Sequence, residues 1–400
     1  MKKSPLLPIF LIVFIDLLGF GLILPLLPFY AKSFGANELT IGLLLASYSL
    51  MQFIGAPVLG RLSDRYGRRP VLLISQLGTF VGFLMLGFAN GLGMLFASRI
   101  VDGISGGNIS TAQAYIADIS NEKNRAKNFG LIGAAFGLGF IMGPAIGGFL
   151  SQFGYQVPAF AAAGLSLLSM VLTYFMLHEP ERKATASREF SVKALQRAFA
   201  YPTIGILLTM VFTFGLAFAM FQTSFALFAS ARFGFDVQQT ALVLTYVGVL
   251  SVIMQLVVVK RVVKRLGENR SIMVTLAALA LGLVLMAMVQ SPLALIFVMP
   301  ILAFGGGVTT PVLTSLISKS VDWTEVGGML GISTSVDSMS RVVAPILGNA
   351  LLIFGSALPS LVGAAILLIP IALAVQLRGR MQGLPVNAQP AYAEAIVANE

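Results

Sequence analysis

The chain contains no cysteine, one histidine and one tryptophan. Without cysteine there is no disulfide, no thiolate nucleophile and no sulfur-ligated metal. His178 alone excludes a multi-histidine metal cluster or a histidine proton relay. Charge is scarce too: Asp, Glu, Lys and Arg make up only 10% of 400 residues. No G-x-x-x-x-G-K-S/T stretch occurs, which argues against a nucleotide-driven pump. Gly137-x-Gly139 has no strand before it and lies inside an apolar run, so it is not a dinucleotide fingerprint. The sequons Asn108-Ile-Ser110 and Asn269-Arg-Ser271 fall in a span and at a cytoplasmic loop, where no glycan is expected. We therefore expect no catalytic residue, no metal and no cofactor.

Apolar residues dominate what remains. The chain is 57% hydrophobic, and its mean hydropathy is +0.90, unlike a soluble globular protein. A transmembrane helix needs about 20 apolar residues. Twelve such runs fit, at about 6–30, 39–59, 71–89, 93–117, 128–152, 157–177, 203–230, 237–259, 271–290, 293–317, 327–353 and 359–377. They leave no room for a soluble catalytic domain. The first run follows Lys2-Lys3 as a signal peptide would, but it is too long and lacks a small-residue cleavage site, so it reads as span 1.

The fold expected is an all-α membrane protein of twelve transmembrane helices in two pseudo-symmetric six-helix bundles. The bundles are 1–178 and 203–377, joined by a cytoplasmic linker at 179–202. Within the linker, 190–199 has the pattern of a short amphipathic surface helix. The tail 378–400, with Pro385 and Pro390, reads as disordered and cytoplasmic. An internal repeat supports the halves. A shift of 200 residues sets Gly67 on Gly267, Gly106-Gly107 on Gly306-Gly307 and Gly148 on Gly348, with Pro144 one place from Pro345. Such repeats imply an axis along the membrane normal and a central site between the halves.

The net charge of +10 could suggest a nucleic-acid partner. Its distribution does not. Of 26 Lys and Arg residues, 22 fall in expected cytoplasmic segments, two in outside loops (Lys32, Arg232) and two inside spans (Arg99, Arg341). That is the positive-inside pattern, with the lipid bilayer as partner and both termini cytoplasmic.

The first dense charge cluster is Gly60-Arg61-Leu62-Ser63-Asp64-Arg65-Tyr66-Gly67-Arg68-Arg69-Pro70. Its glycines allow a tight turn, and Pro70 suits the first turn of the next helix. Asp64 among four arginines can dock a helix N-terminus or pair with a guanidinium. The bland alternative is a solvated loop that only sets topology. The second basic loop, 260–270, looks like a degraded copy, with Lys264 at the position of Asp64.

Charges inside spans are costly and are seldom found without a partner or a function. Asp16 lies about 15 Å into span 1, and Arg99 and Asp102 lie about 9–14 Å into span 4 from the opposite side, counting 1.5 Å per residue. Arg99, Asp102, Gly106, Ser110 and Gln113 recur at helical period and suggest one polar face. Arg99 and Asp102 can pair within their helix, whereas Asp16 has no basic residue on its own span. Asp16 must find Arg99, face water or be protonated; a carboxyl balanced between burial and a guanidinium can switch protonation as its surroundings change. Asp337 and Arg341 in span 11 read as a self-neutralised or a coupling pair. Cavity-lining candidates are Tyr48, Gln52, Gln113, Gln222, Tyr246 and Thr310. A subset of the 30 Phe and 17 Met residues could add an adaptable apolar surface. Gly139-x-x-x-Gly143-Pro144-x-x-Gly147-Gly148 in span 5 offers a small-residue groove with a proline kink.

These motifs together resemble the major facilitator superfamily over about residues 5–378. Within it the chain is similar to the drug:proton antiporters that include tetracycline exporters. The resemblance rests on G-x-L-S-D-R-x-G-R-R at 60–69, on Asp16 through Pro25 and Pro28, on Ala117-Asp118 with Arg125, and on Phe136 through Pro144. It implies that Asp64, with Gly60, Arg65, Gly67, Arg68 and Arg69, forms a conformational switch. Asp64 would contact the N-terminus of span 11, and Arg68 would bridge to Asp118. Arg99 would be the arginine tied to proton movement, and the span 5 pattern would help seal the halves. The chain departs from the tetracycline exporters in lacking acids in spans 3 and 9 and in having Asp102.

The reading that follows is a proton-coupled exporter of amphipathic small molecules, a multi-pass, monomeric protein of a plasma membrane such as the bacterial inner membrane. The rivals are a sugar, metabolite or glycolipid transporter on the same fold, and a membrane scaffold or receptor that does not transport.

Overall fold

The computed structural model describes residues 6–120, 125–180, 199, 202–321 and 326–382. Most of the expected linker, with its amphipathic helix, and the tail beyond 382 lie outside the described residues. Among those described, every regular element is helical. Ten helices are long and apolar enough to cross a membrane. The expectation was twelve. Span 4 is missing from the ten because it is broken into two short helices. Span 11 is missing although its helix, Val326–Leu352, has 27 residues.

In chain order, α1 is Leu6–Ile23, α2 Leu27–Ser33, α3 Glu38–Tyr66, α4 Arg68–Gly87, α5 Leu92–Ser105, α6 Asn108–Ile119, α7 Arg125–Leu150 and α8 Gln156–Met176. There follow α9 Pro202–Phe233, α10 Val237–Ile253, α11 Val259–Leu266, α12 Glu268–Met288, α13 Leu295–Lys319, α14 Val326–Leu352, α15 Leu358–Ile366 and α16 Leu368–Gln382.

Local chemistry explains the boundaries. The run expected as one span at 6–30 breaks after Ile23 and restarts at Leu27; Pro25 cannot donate to the ladder, and Pro28 sits in the first turn of α2. Asn37 caps α3, its side chain accepting the Thr40 N–H at 2.8 Å. Spans 2 and 3 are joined by one residue. Gly67, at φ 110°, ends α3 and starts α4, and a side chain at that φ would be strained. Gly60, expected to help the turn, lies inside α3. The basic residues expected in a loop after span 8 instead continue as helix α11 to Leu266, after a π-helical turn at Met254–Val258.

Packing divides the described residues into two units. The first comprises those within Met1–Ser187, Thr223–Val249 and Pro345–Phe354. The second comprises those within Arg188–Gln222, Leu250–Ala344 and Gly355–Glu400. In the first, α1 packs on α7 and α8, and α4 packs on α5 and α8. Its core has two clusters along α1: Ile9 to Leu17 with Leu72, Ala112 and Tyr115, and Leu22 to Tyr30 with Leu86 and Leu95. Asp16 lies where one gives way to the other. In the second unit α12 is central, packed on α13, α15 and α16.

Candidate coupling and transport site

A break in span 4 builds the site. Gly106 and Gly107 separate α5 from α6 and interrupt the hydrogen-bond ladder inside the span. Freed carbonyls in a membrane need other donors. Neighbouring helices supply them. Gln52 Nε2 of α3 donates to the Gly106 carbonyl at 3.1 Å, and Ser75 Oγ of α4 donates to the Ser105 carbonyl. Gln52 Nε2 also donates to the Tyr48 hydroxyl at 3.2 Å, and the Tyr48 ring leans on Phe20 with centroids 5.7 Å apart. Tyr48 and Gln52, expected to line a cavity, thus also splint the break.

The break revises the polar face expected along span 4. Arg99 and Asp102 are buried, at 2% and 3% exposure, whereas Gln113 beyond the break is exposed. Gly106-Gly107 interrupts the helix, so one unbroken helical period does not run from Arg99 to Gln113. Arg99 Nη1 lies 3.1 Å from Asp102 Oδ2, and its guanidinium sits 5.5 Å from the Phe83 ring centroid. Buried ions require such close partners. Position 82 makes the approach possible: a Cβ on Gly82 would fall 2.8 Å from Asp102 Cβ.

Asp16 has different company. Its neighbours are the neutral side chains of Ser169, Gln76 and Asn108, and the charge acting on it is that of Asp102. Gln76 Nε2 donates to Ser169 Oγ at 2.7 Å, and Ser166 Oγ donates to the Gln76 carbonyl at 3.1 Å. Asp16 Oδ1 and the side-chain oxygens of Gln76 and Asn108 are buried without a hydrogen-bond partner. Arg99, one of the alternatives open to Asp16, is engaged with Asp102, the pair expected within its own helix. Sequence reasoning missed Gln76, Ser166 and Ser169. Uncharged residues scattered over two apolar spans form no motif, although Gln76 is the sole amide in its span.

The span 5 glycines seat the helix that carries Asp16. A Cβ on Gly143 would fall 2.6 Å from Gly21 Cα, and one on Gly139 would fall 2.9 Å from Leu17 Cβ. Gly147 abuts Leu22 of α1, and Gly148 abuts Ala241 of α10 in the same unit. Pro144 lies inside α7, among these glycines. Small residues let two membrane helices approach to backbone contact.

At the end of α3 and α4, Arg68 is the hub. Its Nη1 lies 2.6 Å from Asp64 Oδ1 and 2.7 Å from Ser63 Oγ. Its Nε donates to Asp118 Oδ2 at 2.8 Å. Asp64 is thus paired with Arg68 in this structure. Another acid occupies a helix N-terminus: Glu179 accepts the backbone N–H groups of Arg68 at 2.6 Å and Arg69 at 2.9 Å. An anion is favoured there by the helix dipole and the free amides. Arg65 stacks over Tyr66, 5.4 Å from the ring centroid.

The second basic segment proves less degraded than its sequence suggests. Lys319 Nζ lies 2.7 Å from Glu268 Oε1, which also accepts from Ser315 Oγ at 2.6 Å. The 200-residue repeat places Glu268 at the position of Arg68, and Lys319 one place from that of Asp118. The Arg68–Asp118 contact therefore persists in the second half with its charges exchanged.

In the second unit Arg341 Nε lies 2.9 Å from Asp337 Oδ2, with side chains 55% and 31% exposed. This pair is far more open than Arg99–Asp102. Gly215 makes room for it, since a Cβ there would fall 2.7 Å from Asp337 Oδ1. Gln222 is half-buried and Thr310 exposed in that unit, and Tyr246 is half-buried in the first.

Membrane-length helices among the described residues, with a half-buried carboxylate inside a span and a buried ion pair near it, define a multi-pass membrane protein of the transporter kind. A profile of the Major Facilitator Superfamily matches residues 9–345 and 232–391. The chain is 35% identical over 368 residues to the class C tetracycline resistance protein of Escherichia coli, covering 89% of this chain and 93% of that one. It is 33% identical over 354 residues to multidrug resistance protein 1 of Bacillus subtilis (strain 168), covering 88% and 90%. The human organic anion transporter MFSD10 (TETRAN) shares its fold, with a TM-score of 0.72 at 23% identity, over 92% of this chain and 98% of that one. The chain belongs to the Major Facilitator Superfamily.

Proposed function

We propose that the chain is a drug:proton antiporter that exports amphipathic small molecules by alternating access. The resistance proteins it resembles support an efflux role. One observation carries the coupling: Asp16 is a carboxylate inside a span, one of its oxygens has no partner, and the nearby guanidinium is engaged with Asp102. Asp16 is the proton carrier in this reading. Gln76, Ser169 and Asn108 solvate it, and the Arg99–Asp102 pair sets the field around it. Asp337–Arg341 is a secondary coupling pair. Protonation from outside favours substrate release, and proton loss to the cytoplasm resets the site.

The chain then works as a monomer in a bacterial inner membrane, with both termini cytoplasmic and two halves, 1–178 and 203–377. Asp64, Arg68 and Asp118 hold one of the alternating states. Liposomes containing the purified protein and an internal pH-sensitive dye test the reading. An imposed pH gradient should drive accumulation of tetracycline or a cationic dye such as ethidium, and adding substrate without a gradient should move protons in the opposite direction. Substrate flux with no proton movement would refute antiport.

A further inference from the structure

The two arginines that follow Gly67 point in opposite directions. Arg68 turns inward to Asp64 and Asp118. Arg69 turns outward: its guanidinium lies 5.3 Å from the Tyr174 ring centroid, and its Nη2 donates to the Tyr174 carbonyl at 2.5 Å. Its Nε is buried without a partner, which leaves Nη1 as the nitrogen free to meet a ligand. The nearby carboxylate of Glu179 is engaged by the backbone N–H groups of Arg68 and Arg69. Among the described residues, no carboxylate forms an ion pair with the Arg69 side chain.

Beside this cation, α4 and α8 leave an open apolar groove of about 360 Å³. Leu73, Ile74 and Leu77 line it from α4, and Met170, Val171 and Phe175 line it from α8, with Tyr174 at its rim. No polar atom lines it. Ile74 is 64% exposed and Phe175 75% exposed. Leu73 to Leu77 lie about 8–14 Å along α4 from its first residue, at 1.5 Å per residue. A guanidinium therefore stands at the interfacial end of a slot that descends into the hydrocarbon layer.

We propose that this groove is a binding site for an anionic phospholipid, with the phosphate on Arg69 and the upper part of one acyl chain between α4 and α8. Any bilayer lipid would wet an apolar groove. Selection for an anionic lipid comes from the guanidinium, whose Nη1 donors remain for a phosphate oxygen and which keeps its charge at every relevant pH. An anionic leaflet adds about 1 kcal/mol of attraction per basic side chain near its surface. Tyr174 holds the guanidinium over the slot, and so fixes where a headgroup can sit. Placement in the cytoplasmic leaflet rests on the proposed orientation; the binding itself depends on neither orientation nor transport.

The test uses the full chain in nanodiscs of equal phosphatidylglycerol and phosphatidylcholine, transferred to mild detergent, with retained lipids counted by native mass spectrometry. The wild type should retain phosphatidylglycerol over phosphatidylcholine by about fivefold, the factor one basic side chain supplies. Arg69→Gln should lose that preference, and Arg69→Lys should keep part of it. Leu77→Trp, which fills the groove from an exposed position, should lower retention of both lipids. Equal retention of both lipids by the wild type, or an unchanged preference in Arg69→Gln, overturns the headgroup assignment. Unchanged retention in Leu77→Trp overturns the groove.

Discussion

Replacing Asp16 and Asp102 by asparagine, one at a time, separates a carboxylate that carries a proton from one that holds the structure. The two substitutions are chemically identical, yet their expected costs differ. Asp102 is 3% exposed, and its Oδ2 sits 3.1 Å from Arg99, itself 2% exposed. Asp102→Asn leaves that guanidinium buried and uncompensated, with one nitrogen, Nη2, already lacking a partner. Breaking a buried pair by removing one partner costs about 3–5 kcal/mol. Asp16 has no such partner. Asp16→Asn removes a half-buried charge and keeps the shape, and the new amide can donate to the unpartnered oxygen of Gln76 or Asn108. Its effect on stability should lie within about 1 kcal/mol of zero, or be favourable. Thermal unfolding in detergent at fixed protein and lipid concentration measures the difference. Transport in liposomes then gives the second readout. Asp16→Asn should keep downhill substrate movement and lose uphill movement driven by a pH gradient. If Asp16→Asn still accumulates substrate while a folded Asp102→Asn protein does not, Asp102 is the carrier and the assignment fails. If Asp102→Asn unfolds no more easily than wild type, the Arg99–Asp102 pair is not what holds α5.

Gly143→Leu should abolish accumulation of folded protein, because its Cβ would meet the Gly21 backbone at 2.6 Å, whereas Gly60→Ala should be tolerated since nothing lies within 4 Å; membrane-fraction immunoblots distinguish the two. Gln52→Leu should destabilise by about 1–3 kcal/mol through the orphaned Gly106 carbonyl, read by thermal unfolding, and unchanged stability would show that Gln52 does not splint the break. Asp64→Asn should lower transport with little change in unfolding temperature, because Arg68 keeps Asp118 and exposed ion pairs contribute only about 0–1 kcal/mol; a parallel loss of stability would assign Asp64 a structural role instead. Cysteines placed near either terminus should resist impermeant labelling from outside intact cells, and labelling at both ends would invert the topology.

The class of protein was legible in the sequence because the bilayer imposes it locally. Apolar runs of membrane length, and basic residues concentrated in one set of loops, follow from each segment's own solvation and need no knowledge of its neighbours. That Asp16, Arg99 and Asp102 stand inside spans was legible for the same reason, since a charge in an apolar run is conspicuous wherever it packs. What these residues touch was not. Arg99 had two candidate acids, and the structure pairs it with Asp102, the one on its own helix. The break at Gly106-Gly107 depended on donors from other helices, Gln52 and Ser75, which make an interrupted ladder tolerable inside a membrane. Glu179 could reach the first amides of α4 only once span 6 was packed beside span 3, a contact across more than a hundred residues that local sequence does not encode. The neutral shell of Gln76, Ser166 and Ser169 came from two separate spans and carried no motif. Hydrophobic periodicity decides that a helix forms and that it is buried. Which of its polar groups meet is decided by helix rotation and approach, and these are set by the small residues of the neighbouring helices.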